Sequence, residues 1–327
     1  MKSKFNEIKK QPNVLLITQG LSFFTEYLLS SNCNIVGILE SAPRGYKKKK
    51  TLYNVVFFFT IFFSRILKRN INLRSQSKSK NISYRFMISN EDSGLIEWIH
   101  SIKPDIIIVY SMSHLLKKKI YSIPKFGSIN FHPSWLPDYR GPNPIFWQTY
   151  NLELNPGVTI HHINGGEDTG DIITQQRYKI HLGTSFLDFK KKYEELGAYL
   201  MLKTLQNIDD SKMTSFKQNL ISPTKRARNL SQNEYKNIIQ WNNWPVERVW
   251  HILRGSENLV NILFKQKITN LGRFWNVEEY EKKMNNYLTP GKIYNDKNIF
   301  FISCKDGCIY LSKKFSLKKL FRYFLKI

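Results

Sequence analysis

Asn130 and His132 lie two residues apart in the stretch SINFHPSWLPDYRG, residues 128–141. Alternate side chains of an extended strand point to the same side, so this amide and this imidazole can meet one substrate atom. They would supply a hydrogen-bond donor and a proton carrier, which are the groups of acid–base chemistry. A proline-rich loop around a hydrogen-bonded structural histidine fits the same residues, and this stretch alone leaves both interpretations open.

A second polar cluster follows an apolar strand in GVTIHHINGGEDTGDII, residues 157–173. Strand alternation puts His161 and His162 on opposite faces, so the two do not readily serve one metal ion, and no metal site is predicted. If both clusters end strands of a parallel sheet, Asp168 joins Asn130 and His132 at the edge where such sheets bind ligands. The three residues then predict an acid–base site with a donor for an oxyanion.

The first 200 residues contain the elements that must position these side chains. Apolar strand-like runs alternate with helix-like stretches, which predicts an α/β fold with a Rossmann-like, mostly parallel sheet covered by helices. The predicted strands are residues 13–18, 34–40, 83–89, 105–111, 127–132 and 156–163, and the predicted helices are residues 22–30, 91–102 and 184–205. No GxGxxG follows the first strand and no Walker loop occurs, which argues against NAD, FAD and ATP.

The character of the chain changes after residue 207. Residues 207–235 are polar, include KRAR at 225–228, and suit a linker. Residues 240–255 predict a turn followed by an aromatic helix. Residues 288–313 alternate over short runs broken by turn dipeptides, which predicts a small, barrel-like β domain, with Cys304 and Cys308 flanking a turn rather than holding zinc. The predicted organisation is a catalytic α/β domain at 1–206, a linker at 207–235 and a β-rich, OB-like domain at 236–327.

The chain of 327 residues carries a formal net charge of +25, from 50 Lys and Arg against 25 Asp and Glu. Such a field attracts polyanions or anionic lipid, although the codon bias of an AT-rich genome also inflates lysine. Three cysteines and a polar start predict a reducing, cytoplasmic location.

Two segments leave a membrane interpretation open. The run VVFFFTIFF, residues 55–63, is too short to span a bilayer, which takes about 20 residues. It fits a buried helix, or a surface helix over residues 52–68 whose basic flank meets lipid headgroups. The basic amphipathic tail, residues 313–327, fits either a helix docked on the β domain or a membrane or partner contact.

The stretches HPSWLPDYRGPNPIFW and GVTIHHINGGEDTGDII closely resemble the 10-formyltetrahydrofolate-dependent formyltransferases. These enzymes act on methionyl-tRNA, glycinamide ribonucleotide or nucleotide-linked amino sugars. The family pattern is an Asn-x-His that ends a strand, an LPxxRG loop and a TGVT…DTGDI segment, so Asn130, His132 and Asp168 match its catalytic positions. The resemblance is strong over roughly residues 100–205 and weak in the first strand, while residues 290–313 resemble the family's small barrel-like domain.

The resemblance implies that 10-formyltetrahydrofolate donates a formyl group to a primary amine. Asn130 and His132 would donate to the carbonyl oxygen, and Asp168 would take the proton from the amine and hold His132 in its working state. The residues implied for the pterin are Tyr110, Met112, Leu115, Gly165, Gly166 and Glu167. Those implied for the acceptor are Arg140, Pro142 and Asn143, with Arg140 either bracing its loop or meeting an acceptor phosphate.

The identity of the acceptor stays open between two classes. Pro142-Asn143 stands where methionyl-tRNA enzymes typically carry small residues, and the loop after the second strand also departs from theirs. These departures favour a nucleotide-linked amino sugar, as in the building of formylated surface polysaccharides. The basic tracts 47–50, 225–228 and 313–322 would instead suit the phosphates of an initiator tRNA. The sequence is also compatible with a homodimer.

Overall fold

The computed structural model describes residues 11–43, 72–89, 92–208, 213–257, 259–264, 273–283 and 288–315. The predictions for residues 47–50 and 52–68 lie outside this range. The chain divides into two compact units, which are Met1–Arg140 with Gly157–Arg177 and Tyr193–Lys225, and Gly141–Pro156 with Tyr178–Lys192 and Arg226–Ile327. The predicted domain borders at residues 206 and 235 remain predictions. None of the helices within the described ranges is long and apolar enough to cross a membrane.

A seven-stranded sheet of order β3-β2-β1-β4-β5-β6-β7 forms the first unit. Its strands are β1 Val14–Thr18, β2 Ile35–Ser41, β3 Ser83–Met87, β4 Ile106–Tyr110, β5 Ser128–His132, β6 Gly157–His162 and β7 Ile172–Arg177. The first five pair in parallel, whereas β6 is antiparallel to β5 and β7 is antiparallel to β6. The predicted Rossmann-like, mostly parallel sheet is therefore confirmed.

Some of the helices begin where the sequence supplies a side-chain cap. Ser22 caps the first helix, because the Thr25 N–H donates to its hydroxyl while its own N–H donates to the Thr25 hydroxyl. The helix predicted at 91–102 begins only at Leu95, because Gly94 sits at φ +74° and interrupts the helical path. The helices are α1 Phe23–Ser30, α2 Leu73–Ser79, α3 Leu95–Ile102, α4 Lys118–Tyr121, α5 Pro144–Tyr150, α6 Phe186–Gln206, α7 Gln232–Lys236, α8 Val246–Gly255 and α9 Leu259–Leu263.

Both faces of the large sheet are buried against helices. On one face, Leu15 and Ile107 pack with Ile99 of α3 in a single core. On the other face, Phe131 of β5 stacks on Tyr110, with ring centroids 4.8 Å apart. A Cβ placed on Gly197 of α6 would lie 2.3 Å from the Phe131 ring, so α6 lies directly against β5.

Phe131 lies on the side of β5 that faces α1 and α6. Because side chains alternate along a strand, Asn130 and His132 point to the opposite side. The packing of α1 and α6 thus decides which face of β5 carries the polar residues.

The second unit contains a four-stranded antiparallel sheet of order β8-β11-β10-β9. Its strands are β8 Arg273–Glu281, β9 Ile293–Asp296, β10 Ile299–Cys304 and β11 Gly307–Phe315. Cys304 and Gly307 pair across the hairpin turn, which confirms the predicted turn between two free cysteines. Residues 313–315 belong to β11, so the predicted basic tail begins as a strand, and residues 316–327 lie outside the described range.

Candidate active site

Three side chains from the two sequence clusters meet on one face of the sheet. The Asn130 amide Nδ2 donates to Asp168 Oδ1 at 3.4 Å, and His132 Nδ1 lies 3.5 Å from Asp168 Oδ2. The side chains of His132 and Asp168 are only 5% and 14% exposed. The structure therefore brings together the amide, the imidazole and the carboxylate that were predicted to form the site.

Asp168 reaches this cluster by a route that differs from the expected one. The strand before it was expected to be parallel, but β6 is antiparallel to β5, and His162 at its end pairs with Ile129. The loop from residue 163 to residue 171 must therefore turn back over the polar face. It packs so closely on β6 that a Cβ on Gly170 would lie 1.8 Å from the His162 carbonyl oxygen. Asp168 itself sits at φ +55°.

His161 is a member of this cluster that the sequence analysis missed. It lies opposite Asn130 in the β5–β6 pairing, with Nε2 3.1 Å from Asn130 Nδ2 and 3.7 Å from Asp168 Oδ1. Its Nδ1 lies 2.8 Å from the His162 carbonyl oxygen, which can only accept, so the ring hydrogen is on Nδ1. The available signal was strand alternation, but its use required knowing that β5 and β6 pair as antiparallel neighbours.

The protonation state of His161 follows from its surroundings. Burial lowers the pKa of its imidazole to about 4, against the opposing influence of the Asp168 charge. The ring is therefore neutral near pH 7, and its Nε2 accepts a hydrogen bond from the Asn130 amide. That bond fixes which end of the Asn130 amide faces Asp168.

His132 is held from its far side. Its Nε2 lies 3.1 Å from the Tyr139 carbonyl oxygen, so this nitrogen carries a hydrogen and donates it. The other nitrogen, Nδ1, faces Asp168.

Arg140 of the LPxxRG loop donates hydrogen bonds to the crossing segment, defined as residues 213–225. Its guanidinium donates to the carbonyl oxygens of Asn219 at 2.7 Å and Leu220 at 3.0 Å. It also donates from Nε and Nη2 to Gln218 Oε1. These contacts support the bracing role among the two that were predicted. Gln218 is buried within a stretch that reads as a polar linker, and no sequence signal identified it.

The residues expected to bind the pterin differ from one another in where their side chains lie. The ring of Tyr110 lies on the opposite face from Asn130, stacked on Phe131, and its hydroxyl donates to Glu194. Only the Tyr110 backbone is therefore left as a contact for a ligand beside Asn130. Leu115 is exposed and Met112 is half-buried.

The remaining predicted residues lie at the surface. Gly165 and Gly166 are exposed and Glu167 is half-buried in the loop before Asp168. Pro142 and Asn143 belong to the second unit, immediately before α5. Within the described ranges, no group of three or more His, Cys, Asp or Glu side chains is arranged to hold a metal ion.

Comparisons with known proteins indicate a single protein family. Residues 65–205 match the family model described as formyl transferase. A methionyl-tRNA formyltransferase of Clostridium tetani is 30% identical over 242 residues, which are 70% of this chain and 72% of that protein. The bifunctional polymyxin resistance protein ArnA of Wigglesworthia glossinidia brevipalpis is 30% identical over 251 residues, which are 75% of this chain and 35% of that protein.

Solved structures share the fold at low sequence identity. An N-formyltransferase of Helicobacter canadensis, in complex with folinic acid and dTDP-3-aminofucose, aligns with a TM-score of 0.55 at 20% identity. The alignment covers 93% of this chain and 100% of that chain. HypX of Aquifex aeolicus aligns with a TM-score of 0.57 at 13% identity, over 97% of this chain and 48% of that chain.

Proposed function

The chain belongs to the formyl transferase family, and we propose that it transfers a formyl group from 10-formyltetrahydrofolate to the amine of a nucleotide-linked amino sugar. The family makes it an N-formyltransferase. The observation that carries the assignment is the meeting of Asn130 and His132 at Asp168, whose carboxylate oxygens lie 3.4 Å from Asn130 Nδ2 and 3.5 Å from His132 Nδ1. An amide N–H donor, an imidazole that can carry a proton and a carboxylate are the groups that a formyl oxygen and an attacking amine require.

The side chains divide the work of the reaction. When bound, 10-formyltetrahydrofolate supplies the formyl carbon that the amine attacks. Asn130 Nδ2 and, when it carries a proton, His132 Nδ1 donate to the formyl oxygen, where negative charge develops. Asp168 takes the proton that the amine loses, directly or through a water molecule. The carbon–nitrogen bond to the acceptor forms as the bond to the folate nitrogen breaks, and His132 can return a proton to that nitrogen.

His161 supports this arrangement through the amide of Asn130. One Asn130 N–H is held by His161 at 3.1 Å, and the contact of Nδ2 with Asp168 is longer, at 3.4 Å. The weaker of these two contacts is the one that a formyl oxygen can replace. A neutral His161 thereby keeps the donor end of the amide at the site.

The proposed acceptor is supported by Pro142-Asn143, which stands where tRNA-directed family members carry small residues. The Helicobacter canadensis enzyme, solved with a nucleotide-linked amino sugar, shares the fold over its whole length. The second candidate is initiator methionyl-tRNA. It is favoured by the Clostridium tetani relative and by the net charge of +25, which suits a polyanion.

A direct competition between acceptors tests the proposal. The purified chain is incubated with 10-formyltetrahydrofolate and either a panel of dTDP- and UDP-linked amino sugars or methionyl initiator tRNA, and formylated product is measured by mass spectrometry. We expect one sugar to be formylated, with Asp168→Asn inactive on it. Faster formylation of the tRNA would reverse the acceptor, and a folded chain that formylates neither class would refute the proposed function.

Contact with lipid through residues 52–68, a cytoplasmic location, a role in polysaccharide building and a homodimer remain predictions. Flotation with liposomes tests the first of these. A chain without residues 52–68 that floats as well as the full chain would exclude this segment as the lipid contact.

A further inference from the structure

Gln218 joins the loop of Asp168 to the loop of Arg140 within the first unit. Its amide Nε2 donates to the backbone carbonyl oxygens of Asp168, at 3.0 Å, and Gly170, at 2.5 Å. Its Oε1 accepts from Arg140 Nε at 3.2 Å and from Nη2 at 2.5 Å. The side chain is only 8% exposed, and both ends of its amide are engaged in hydrogen bonds.

The loop that carries Asp168 needs hydrogen bonds that keep its backbone in place. Asp168 sits at φ +55°, which is a sparsely populated conformation for residues other than glycine and persists only where the surroundings enforce it. Enforcement comes from Gln218 on the residue itself and on Gly170 two positions later. It also comes from the crossing segment, where Phe216 and Ile172 exchange backbone hydrogen bonds of 2.8 and 2.9 Å.

Arg140 anchors the other end of this connection. The same guanidinium that donates to Gln218 also donates to the Asn219 and Leu220 carbonyl oxygens, which fixes the backbone beside Gln218. Arg140 follows Tyr139 in the chain, and the Tyr139 carbonyl accepts from His132. Hydrogen bonds on both sides of the Tyr139–Arg140 peptide bond therefore link the far side of His132 to the backbone of Asp168.

We infer that Gln218, anchored by Arg140, is a positioning residue that holds the Asp168 carboxylate against His132. This inference rests on the proposed function of the site, because it assigns the geometry that the reaction needs. Glutamine fits the position because it accepts from a cation at one end and donates to two carbonyls at the other. Glutamate would keep the first interaction and lose the second, and methionine would lose both at nearly constant volume.

The test compares Gln218→Met and Gln218→Glu with the wild type and with Gln176→Met, a matched control at an exposed position of β7. Both Gln218 variants should lower kcat by about 30-fold to 100-fold, since a displacement of about 1 Å can reduce rates by that order. The KM for the acceptor should stay within about threefold, because the acceptor is not bound through Gln218. Gln176→Met should match the wild type. A Gln218→Glu enzyme with wild-type kcat would overturn the inference.

Hydrogen–deuterium exchange gives a readout that does not depend on turnover. In Gln218→Met the amides of residues 163–171 should exchange faster, while those of β1 and β4 keep wild-type rates. Unchanged exchange in residues 163–171 would overturn the inference even if kcat fell. If the wild type formylates no acceptor, the proposed function fails, and exchange still decides whether Gln218 holds the loop.

Arg140→Met tests the anchor. It should lower kcat with little change in KM, and combining it with Gln218→Met should add almost nothing, since two residues that act as a unit are not additive. A variant that raises only the acceptor KM would show that Arg140 serves an acceptor phosphate, and would overturn the anchoring role.

Discussion

The cluster around Asp168 in the first unit contrasts with the surroundings of His251 in the second. His251 is 1% exposed, and its Nδ1 accepts from the Gly183 N–H at 2.8 Å. Its Nε2 has no hydrogen-bond partner among the described residues. Burial lowers its pKa to about 4. His161 is equally buried and has the same low pKa, yet it lies beside an amide and a carboxylate.

The comparison of His251 with His161 shows that burial and a shifted pKa do not by themselves identify a catalytic histidine. His251 accepts a hydrogen bond from one backbone N–H and fills space on the buried side of α8, which is a structural role. The Asp168 cluster instead gathers polar groups that interact with one another and would accept a substrate between them. Replacements in the first region should therefore change activity far more than stability, and replacement of His251 should do the reverse.

The largest expected effect is that of Asp168→Asn. It removes the group that takes the amine proton, so kcat/KM should fall by about 10³-fold to 10⁴-fold while the melting temperature is kept. His132→Asn should cause a loss of the same order. The matched control is Asp171→Asn, three residues along the same loop, which should retain at least half of the activity. Full activity of Asp168→Asn would show that the Asp168 cluster is no more important for activity than the surroundings of His251.

Asn130→Ala should follow in size. Loss of one preorganised donor to a developing oxyanion typically lowers kcat by about 10²-fold to 10³-fold, and the donor KM should change much less. Steady-state kinetics at saturating acceptor would measure both constants. A loss confined to KM would mean that Asn130 only binds the donor.

A smaller effect is expected for His161→Leu, which removes the acceptor that orients the Asn130 amide. One net hydrogen bond corresponds to a reduction in kcat of about threefold to tenfold. His162→Leu is the matched control, because His162 points to the other face of the same strand. Equal losses in the two variants would show that the effect comes from perturbing β6 rather than from orienting Asn130.

The smallest expected effect is a change in how the free energy of unfolding depends on pH, and we assign it to His251. Its folded pKa is about 4 and the reference value is 6.5. Between these values the unfolded chain binds a proton that the folded chain does not, so stability falls as the pH drops from 6.5 towards 4. The slope is at most about 1.4 kcal/mol per pH unit for one group. His251→Gln, which keeps an acceptor for Gly183, should lose stability less steeply than the wild type in urea melts at pH 6.5 and 4.5. Parallel slopes would exclude a neutral buried His251.

Much of the first unit could be predicted because its strands carry strong local signals. Val14–Thr18 and Ile106–Tyr110 are continuous apolar runs, as expected for strands covered on both faces. The direction of β6 could not be predicted, since an apolar run reads the same whether it pairs in parallel or antiparallel. The route of the Asp168 loop and the membership of His161 depend on that direction.

Gln218 and Tyr110 show a second limit of local patterns. Gln218 lies in a polar stretch whose burial is decided by Arg140 and the Asp168 loop, which are distant in sequence. The face occupied by the Tyr110 ring is decided by its stacking on Phe24 and Phe131. The sequence identified Asn130, His132 and Asp168 because their chemical types occur in a recognisable order. The residues that support them have no such order.

The antiparallel pairing of β5 and β6 makes the site sensitive to the length of these strands as well as to their composition. Asn130 meets His161, and His132 meets Thr159, only in the observed register. One residue inserted between Thr159 and Ile160 would turn every later side chain of the strand to the opposite face and would present an isoleucine to Asn130. Natural or laboratory variants of this chain should therefore tolerate substitutions in β5 and β6 outside the site residues, but insertions and deletions only beyond the ends of the two strands.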